Sequence, residues 1–152
     1  MMQSYFQNIR TSTLLRELFK SPDLEKFMDN NTDELAIPQF HTYITELCHA
    51  SEQVPEQIIK KAAIDRTYGH QLFNGTRRPS RDKVIQLAFG FSLDVEGTQK
   101  LLKLAGKNAL YPRIRRDAAI LHCLNNHRDI FDTQSILQEL GQVLLGGEEK
   151  HG

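Results

Sequence analysis

The chain has 152 residues, 39% of them hydrophobic and 25% charged, with 19 basic side chains balanced by 19 acidic ones. That composition belongs to a globular core rather than a disordered polyelectrolyte, and no apolar run approaches the ~18 residues a membrane helix needs. Cys48 and Cys123 are isolated, and the opening MMQSYFQNIRTSTLL lacks the charged-then-apolar layout of a secretory signal. Both features lead to the expectation of a reducing, cytoplasmic setting.

Apolar residues recur at helical spacing almost throughout and strand-like alternation is absent, so the expected fold is all-α. TSTLLRELFK is the first expected helix and PDLEKFMDN the second, with Pro22 in its first turn, where a missing N–H costs nothing. NNTDELAIP reads as a polar connector. The helix over 38–49 carries Phe40, Tyr43, Ile44 and Leu47 at i, i+3, i+4 and i+7, the stripe of one buried face. In QVPEQIIKKAAI, which holds the next helix over 55–63, Val54, Ile58, Ile59 and Ala62 form an inward stripe.

Asp65 is the expected N-cap of a helix over 66–74 and Gly75 its terminator. Leu72 and Phe73 face the core there, while Arg66, Thr67, His70 and Gln71 lie on the opposite face. Gly69, inside that helix, costs about 1 kcal/mol relative to alanine; either the helix bends at it or it permits close packing. Four further helices are expected over 81–91, 95–105, 114–125 and 130–144.

Laid against itself at an offset of 35, the chain repeats. RPSRDKVIQLAFGFSLDVEGTQKLLKLAG (78–106) and RIRRDAAILHCLNNHRDIFDTQSILQELG (113–141) align without a gap and share nine of 29 positions. These include Arg81/Arg116, Asp82/Asp117, Asp94/Asp129, Gln99/Gln134 and Gly106/Gly141. Each copy reads as a helical hairpin: an Arg-Asp pair opens the first helix, an aspartate caps the second and a glycine closes it. Two copies fall short of a solenoid, so the second hairpin is expected to pack on the first and extend its core.

The zero net charge is unevenly spread. Residues 60–83 hold seven basic and two acidic side chains and residues 113–128 four and one, whereas residues 1–59 hold four and nine. Exposed charges are screened within about 10 Å at ordinary salt, so a polyanion meets the local charge rather than the total. The densest cluster is Arg77, Arg78, Arg81 and Lys83. Its residues alone fit either a grip on phosphate or a solvated loop.

The segment VPEQIIKKAAIDRTYGHQLFNGTRRPSRDKVIQLAFGFSLD resembles the lambda-repressor-like (Xre-type) helix-turn-helix family, over about residues 38–106. The shared landmarks are Gly75 at a helix end, the basic loop Arg77-Arg78-Pro79, the apolar helix from Val84 to Phe91, and Ser92-Leu93-Asp94 before the next helix. The resemblance implies a five-helix helix-turn-helix domain over 37–107. An N-terminal helical extension (1–36) precedes it, and a C-terminal hairpin (108–146) and a disordered tail (147–152) follow. It also implies a bacterial or phage transcriptional regulator that binds double-stranded DNA with helix 66–74 in the major groove.

On that reading Arg66 contacts guanine and Gln71 adenine, with Thr67 and His70 beside them. Lys61, Asn74, Thr76, Arg77 and Arg78 hold phosphates. Such regulators bind as two-fold homodimers; Leu14, Leu15, Leu18 and Phe19 of the N-terminal helices are the expected interface, for a second copy or another protein partner. The chain departs from the family in a turn one residue shorter before helix 66–74, and in Gly69, where the family has an apolar residue.

A reading from another class uses the same scaffold to dock a protein without binding DNA, which suits the acidic flanks and the added hairpin. Arg81 is expected to bridge within its hairpin, because its repeat partner Arg116 lies outside any recognition segment. RIRRD at 113–117 reads as structural for the same reason. Cys123 and His127 share a helix face near His122, but two ligands do not close a tetrahedral metal site, and His41 and His49 lie on another helix. No nucleophile, base and acid stand at workable spacing and no phosphate-binding glycine loop occurs, so no catalytic residue and no cofactor are expected.

Overall fold

In the computed structural model, which describes residues 11–26 and 39–147, regular structure is helical and no strand occurs among the described residues. The helices are α1 (Thr11–Lys20), α2 (Phe40–Ala50), α3 (Pro55–Lys61), α4 (Arg66–Asn74), α5 (Arg81–Gly90), α6 (Val95–Leu104), α7 (Arg115–Asn125) and α8 (Ile130–Glu139). A further helical turn begins at Leu24, where the Asp23 carboxylate accepts from the Lys26 N–H at 3.2 Å. The rest of PDLEKFMDN, the connector NNTDELAIP and the tail 148–152 lie outside the described residues.

The chain divides into two units, residues 1–39 and 40–152. In the first, α1 presents Leu15 and Phe19 to solvent, while Leu14 and Leu18 are half-buried. The second is organised around α5. All seven residues from Val84 to Gly90 are buried, and α5 packs against α3, α6 and α8. One of the seven is polar: the Gln86 side-chain amide donates to the carbonyls of Ala62 at 3.2 Å and Ala63 at 3.3 Å, which the end of α3 leaves without intrahelical partners. Ile44, Cys48, Ile58, Ala62 and Leu72 complete this side of the core, whereas Val54, expected inside, stands exposed at the N-cap of α3. Burial pushes the Cys48 thiol up to about 11, which leaves it inert as a nucleophile.

Gly69 neither breaks nor ends α4, which runs unbroken from Arg66 to Asn74. Its role is steric. A Cβ built on it would stand 2.6 Å from both Cγ1 and Cγ2 of Ile59, so the missing side chain is what lets α3 and α4 lie this close.

The two repeats form helical hairpins, α5–α6 and α7–α8, that meet reciprocally. Arg81 reaches the Asp117 carboxylate with Nη1 at 3.2 Å and Nη2 at 2.9 Å. Arg116 reaches Asp82 with Nη1 at 3.0 Å and Nη2 at 2.9 Å. Each arginine also binds the loop that closes its own hairpin: Arg81 donates to the Asn108 and Ala109 carbonyls, Arg116 to those of Val143 and Leu144. Each aspartate accepts from the loop of the other hairpin, Asp117 from the Tyr111 N–H and Asp82 from the Gly146 N–H. Every contact therefore has a partner displaced by 35 residues with the two copies exchanged, the mark of a two-fold relation within one chain.

The same correspondence extends through the hairpins. Gln99 clasps both backbone groups of Leu110 as Gln134 clasps those of Leu145. Asp94 and Asp129 cap the second helices through the N–H groups of Gly97 and Asp132. Gly141, at φ +68°, ends α8 earlier than the apolar pattern indicated, and residues 142–147 turn back to the bridge instead of continuing the helix.

Burial pushes the Asp82 carboxyl up, but the Arg116 hydrogen bonds, the Gly146 N–H and the two nearby guanidinium charges outweigh it, leaving the group below the ordinary carboxylate range. Arg116→Ala should cost on the order of 3 kcal/mol in a urea unfolding titration, because it strands a largely buried carboxylate. The Arg116→Ala/Asp82→Ala double variant should lose less than the sum of the single variants. A carboxyl whose folded pKa is depressed contributes fully above its unfolded value of about 3.9 and loses that contribution as pH falls toward the folded value. The acid-side decline in stability should accordingly be shallower in Asp82→Ala.

Gly69→Ala should destabilise the protein by roughly 1–3 kcal/mol despite alanine's better helix propensity, through overpacking against Ile59. Adding Ile59→Ala should relieve the clash, so the two losses combine to less than their sum in the same titration.

Candidate nucleic-acid interface

Helix α4 is fixed at both ends by local chemistry. The Asp65 carboxylate accepts from the Tyr68 N–H at 3.1 Å, and Gly75, at φ +86°, supplies the left-handed residue that turns the chain out of the helix. The N–H groups of Gly75, Thr76 and Arg77 all converge on the Gln71 carbonyl, at 3.1, 3.1 and 3.3 Å. Leu72 and Phe73 are buried, while Arg66, Thr67 and Asn74 are exposed and His70 and Gln71 half-buried. The helix thus presents a polar face with a basic turn at its C-terminal end.

In that turn Asn74 Oδ1 accepts from both the N–H and the hydroxyl of Thr76, at 2.9 and 2.7 Å. These two side chains shape the loop before they meet anything else. Arg77 donates Nε to Gln71 Oε1 at 2.9 Å and lays its guanidinium 4.5 Å from the centre of the Tyr68 ring. The Lys83 ammonium stands 5.3 Å from the same ring, so one half-buried aromatic gathers two cations by cation–π attraction. Arg78 is exposed and makes no side-chain hydrogen bond or ion pair with the described residues, while Pro79 beside it is buried and anchors the loop.

The face also holds an anion that the sequence reading did not single out. Glu56, in the first turn of α3, accepts Arg66 Nε on Oε1 at 2.7 Å and contacts His70 Nε2 through Oε2 at 3.0 Å. The Arg66 and His70 hydrogen bonds, in that order, hold the Glu56 carboxyl below its ordinary value. Nothing local in the sequence marks this residue. An acidic side chain in a first turn is what any helix dipole favours, and its partners lie ten and fourteen residues away.

Two further basic residues lie apart from the turn. Arg81, expected to bridge within its own hairpin, does bind the Asn108 and Ala109 carbonyls that close it, but its ion pair is with Asp117 of the other hairpin. Lys61 is not gathered with Arg77 and Lys83. It donates to Gln53 and lines a hollow with Phe89 and Ser92 at the C-terminal end of α5, whereas Lys83 and Arg77 stand at its N-terminal end; a ten-residue helix separates such ends by about 15 Å. Cys123 is buried while His122 and His127 are exposed, and no three His, Cys, Asp or Glu side chains cluster among the described residues. Among those residues, too, no helix is long and apolar enough to cross a membrane.

The Glu56 carboxyl should titrate below the ordinary glutamate value when followed by carbon-detected NMR. Arg66→Ala should raise its midpoint more than His70→Ala does. Comparison of the chain with protein-family models, with curated proteins and with solved structures returns no match, so the geometry of this face is the ground for a functional reading.

Proposed function

We propose that the chain is a sequence-specific double-stranded DNA-binding protein of the transcription-regulator type, with α3 and α4 as its helix-turn-helix and α4 as the helix laid in the major groove. The observation that carries this reading is the continuity of polar and cationic groups from Arg66, Thr67 and His70 along α4 into the exposed Arg77 and Arg78 beyond Gly75. An α-helix fits the major groove, where base edges are distinguishable, and cations flanking such a helix meet the phosphates that set its register. Arg66, Thr67, His70 and Gln71 are the base-facing group; Asn74, Thr76, Arg77 and Arg78 face the backbone.

A second reading, docking of another protein on this same face, is favoured by one observation: Glu56 already pairs with Arg66 and contacts His70. The two readings differ in how they respond to salt.

Fluorescence anisotropy of a labelled random duplex, titrated with the full chain across a salt series, separates them. DNA binding requires log K to fall linearly with log salt, by about 0.9 for each phosphate neutralised. Arg77→Ala/Arg78→Ala should weaken binding to all sequences alike and flatten the slope by about two units, with the thermal melt lowered only slightly by loss of the Arg77 contacts to Gln71 and Tyr68. Binding that ignores salt and the double substitution would leave the protein-docking reading.

A further inference from the structure

Arg66 is held by one nitrogen only. Its Nε is committed to Glu56 at 2.7 Å. Its terminal Nη1 and Nη2 make no hydrogen bond with the described residues, and the side chain is 76% exposed. Two parallel N–H donors at the tip of a planar guanidinium are the fork that meets O6 and N7 of guanine. His70, one turn further along α4, is held by the other oxygen of the same carboxylate at 3.0 Å. Glu56 thus tethers both side chains from the α3 side and faces the groove-directed surface with a negative charge of its own.

We propose that Glu56 is the specificity-determining residue of this face: it holds Arg66 as a guanine-reading fork, and it penalises engagement of the same face with bare phosphate. The proposal rests on the DNA-binding reading. Glu56 is a positioning residue, acting on sequence through Arg66 rather than by touching a base.

Two physical effects follow from the geometry. A guanidinium anchored at Nε has already lost much of the rotamer freedom it would otherwise surrender on binding, and what remains free is the end that reads a base. On an unmatched sequence a released arginine would drop to the nearest phosphate, which gives affinity without information. The carboxylate opposes that outcome by competing for the guanidinium and by repelling the polyanion within a screening length. Specificity is a difference between affinities, and a repulsive element against the wrong complex raises it even where it lowers affinity for the right one.

The test begins by selecting duplexes from a random pool with the full-length protein. Affinities of wild type, Glu56→Gln and Glu56→Ala are then measured for a selected and a random duplex across a salt series. Glu56→Gln should bind the random duplex roughly three- to tenfold more tightly, with a salt slope steeper by about one unit as Arg66 joins the phosphate contacts. Its preference for the selected duplex should fall at least tenfold, with relaxation at one guanine position. In an Arg66→Ala background the Glu56 change should leave base preference untouched.

A merely structural role for Glu56 would move the melting temperature and not these ratios. Unchanged preference and slope in Glu56→Gln, with wild type still binding in a salt-sensitive way, overturns the proposal while sparing the DNA reading. Absence of salt-sensitive binding in wild type and variant alike overturns both.

Discussion

Two arginine–aspartate bridges hold the larger unit in its observed form. Arg81 with Asp117, and Arg116 with Asp82, join the first turns of α5 and α7. Their aspartates are only 2% and 12% exposed, so four charges are largely withdrawn from water. Such pairs hold only when the remaining donors and acceptors are also satisfied. Here the loops closing each hairpin supply them: carbonyls for the guanidinium groups, N–H groups for the carboxylates. The bridges and the loops therefore order each other.

α5 connects this scaffold to the polar face. Its cap, Ser80, and its first two residues are engaged in starting the helix and in the bridges. The next residue, Lys83, points to Tyr68 and shares that ring with Arg77. Further along, Gln86 ties down the end of α3, which places the turn into α4. A rigid central helix thus fixes the basic loop at one end and the α3–α4 junction farther along. The proposed DNA-reading role of α4 would need such support, since small misplacements of donors forfeit their directionality.

The sequence disclosed the helices, their caps and the repeat because those are set by local rules. Asp65, Asp94 and Asp129 each accept from an N–H three residues on. What local rules cannot state is which side chains meet across the fold. The shared Arg-Asp pairs were visible as a repeat, but not that each would bridge to the opposite copy. The sequence left Gly69 open between a bend and a close approach, because Ile59, the neighbour that decides it, lies on another helix. Lys61 looked like part of the basic cluster by sequence proximity, yet it stands at the opposite end of α5 from Lys83 and Arg77. Glu56 was passed over because its two partners become neighbours only once α3 and α4 are packed.

The reciprocity of the bridges sets the size of the repeat array. In a solenoid each unit offers its successor a surface still vacant, so units can be added without limit. Here both guanidinium forks and both carboxylates are consumed between two copies, and a third hairpin of the same sequence would find no complementary charge to engage. Duplication of this segment therefore ends at a self-completed pair, as a closed dimer ends at two subunits.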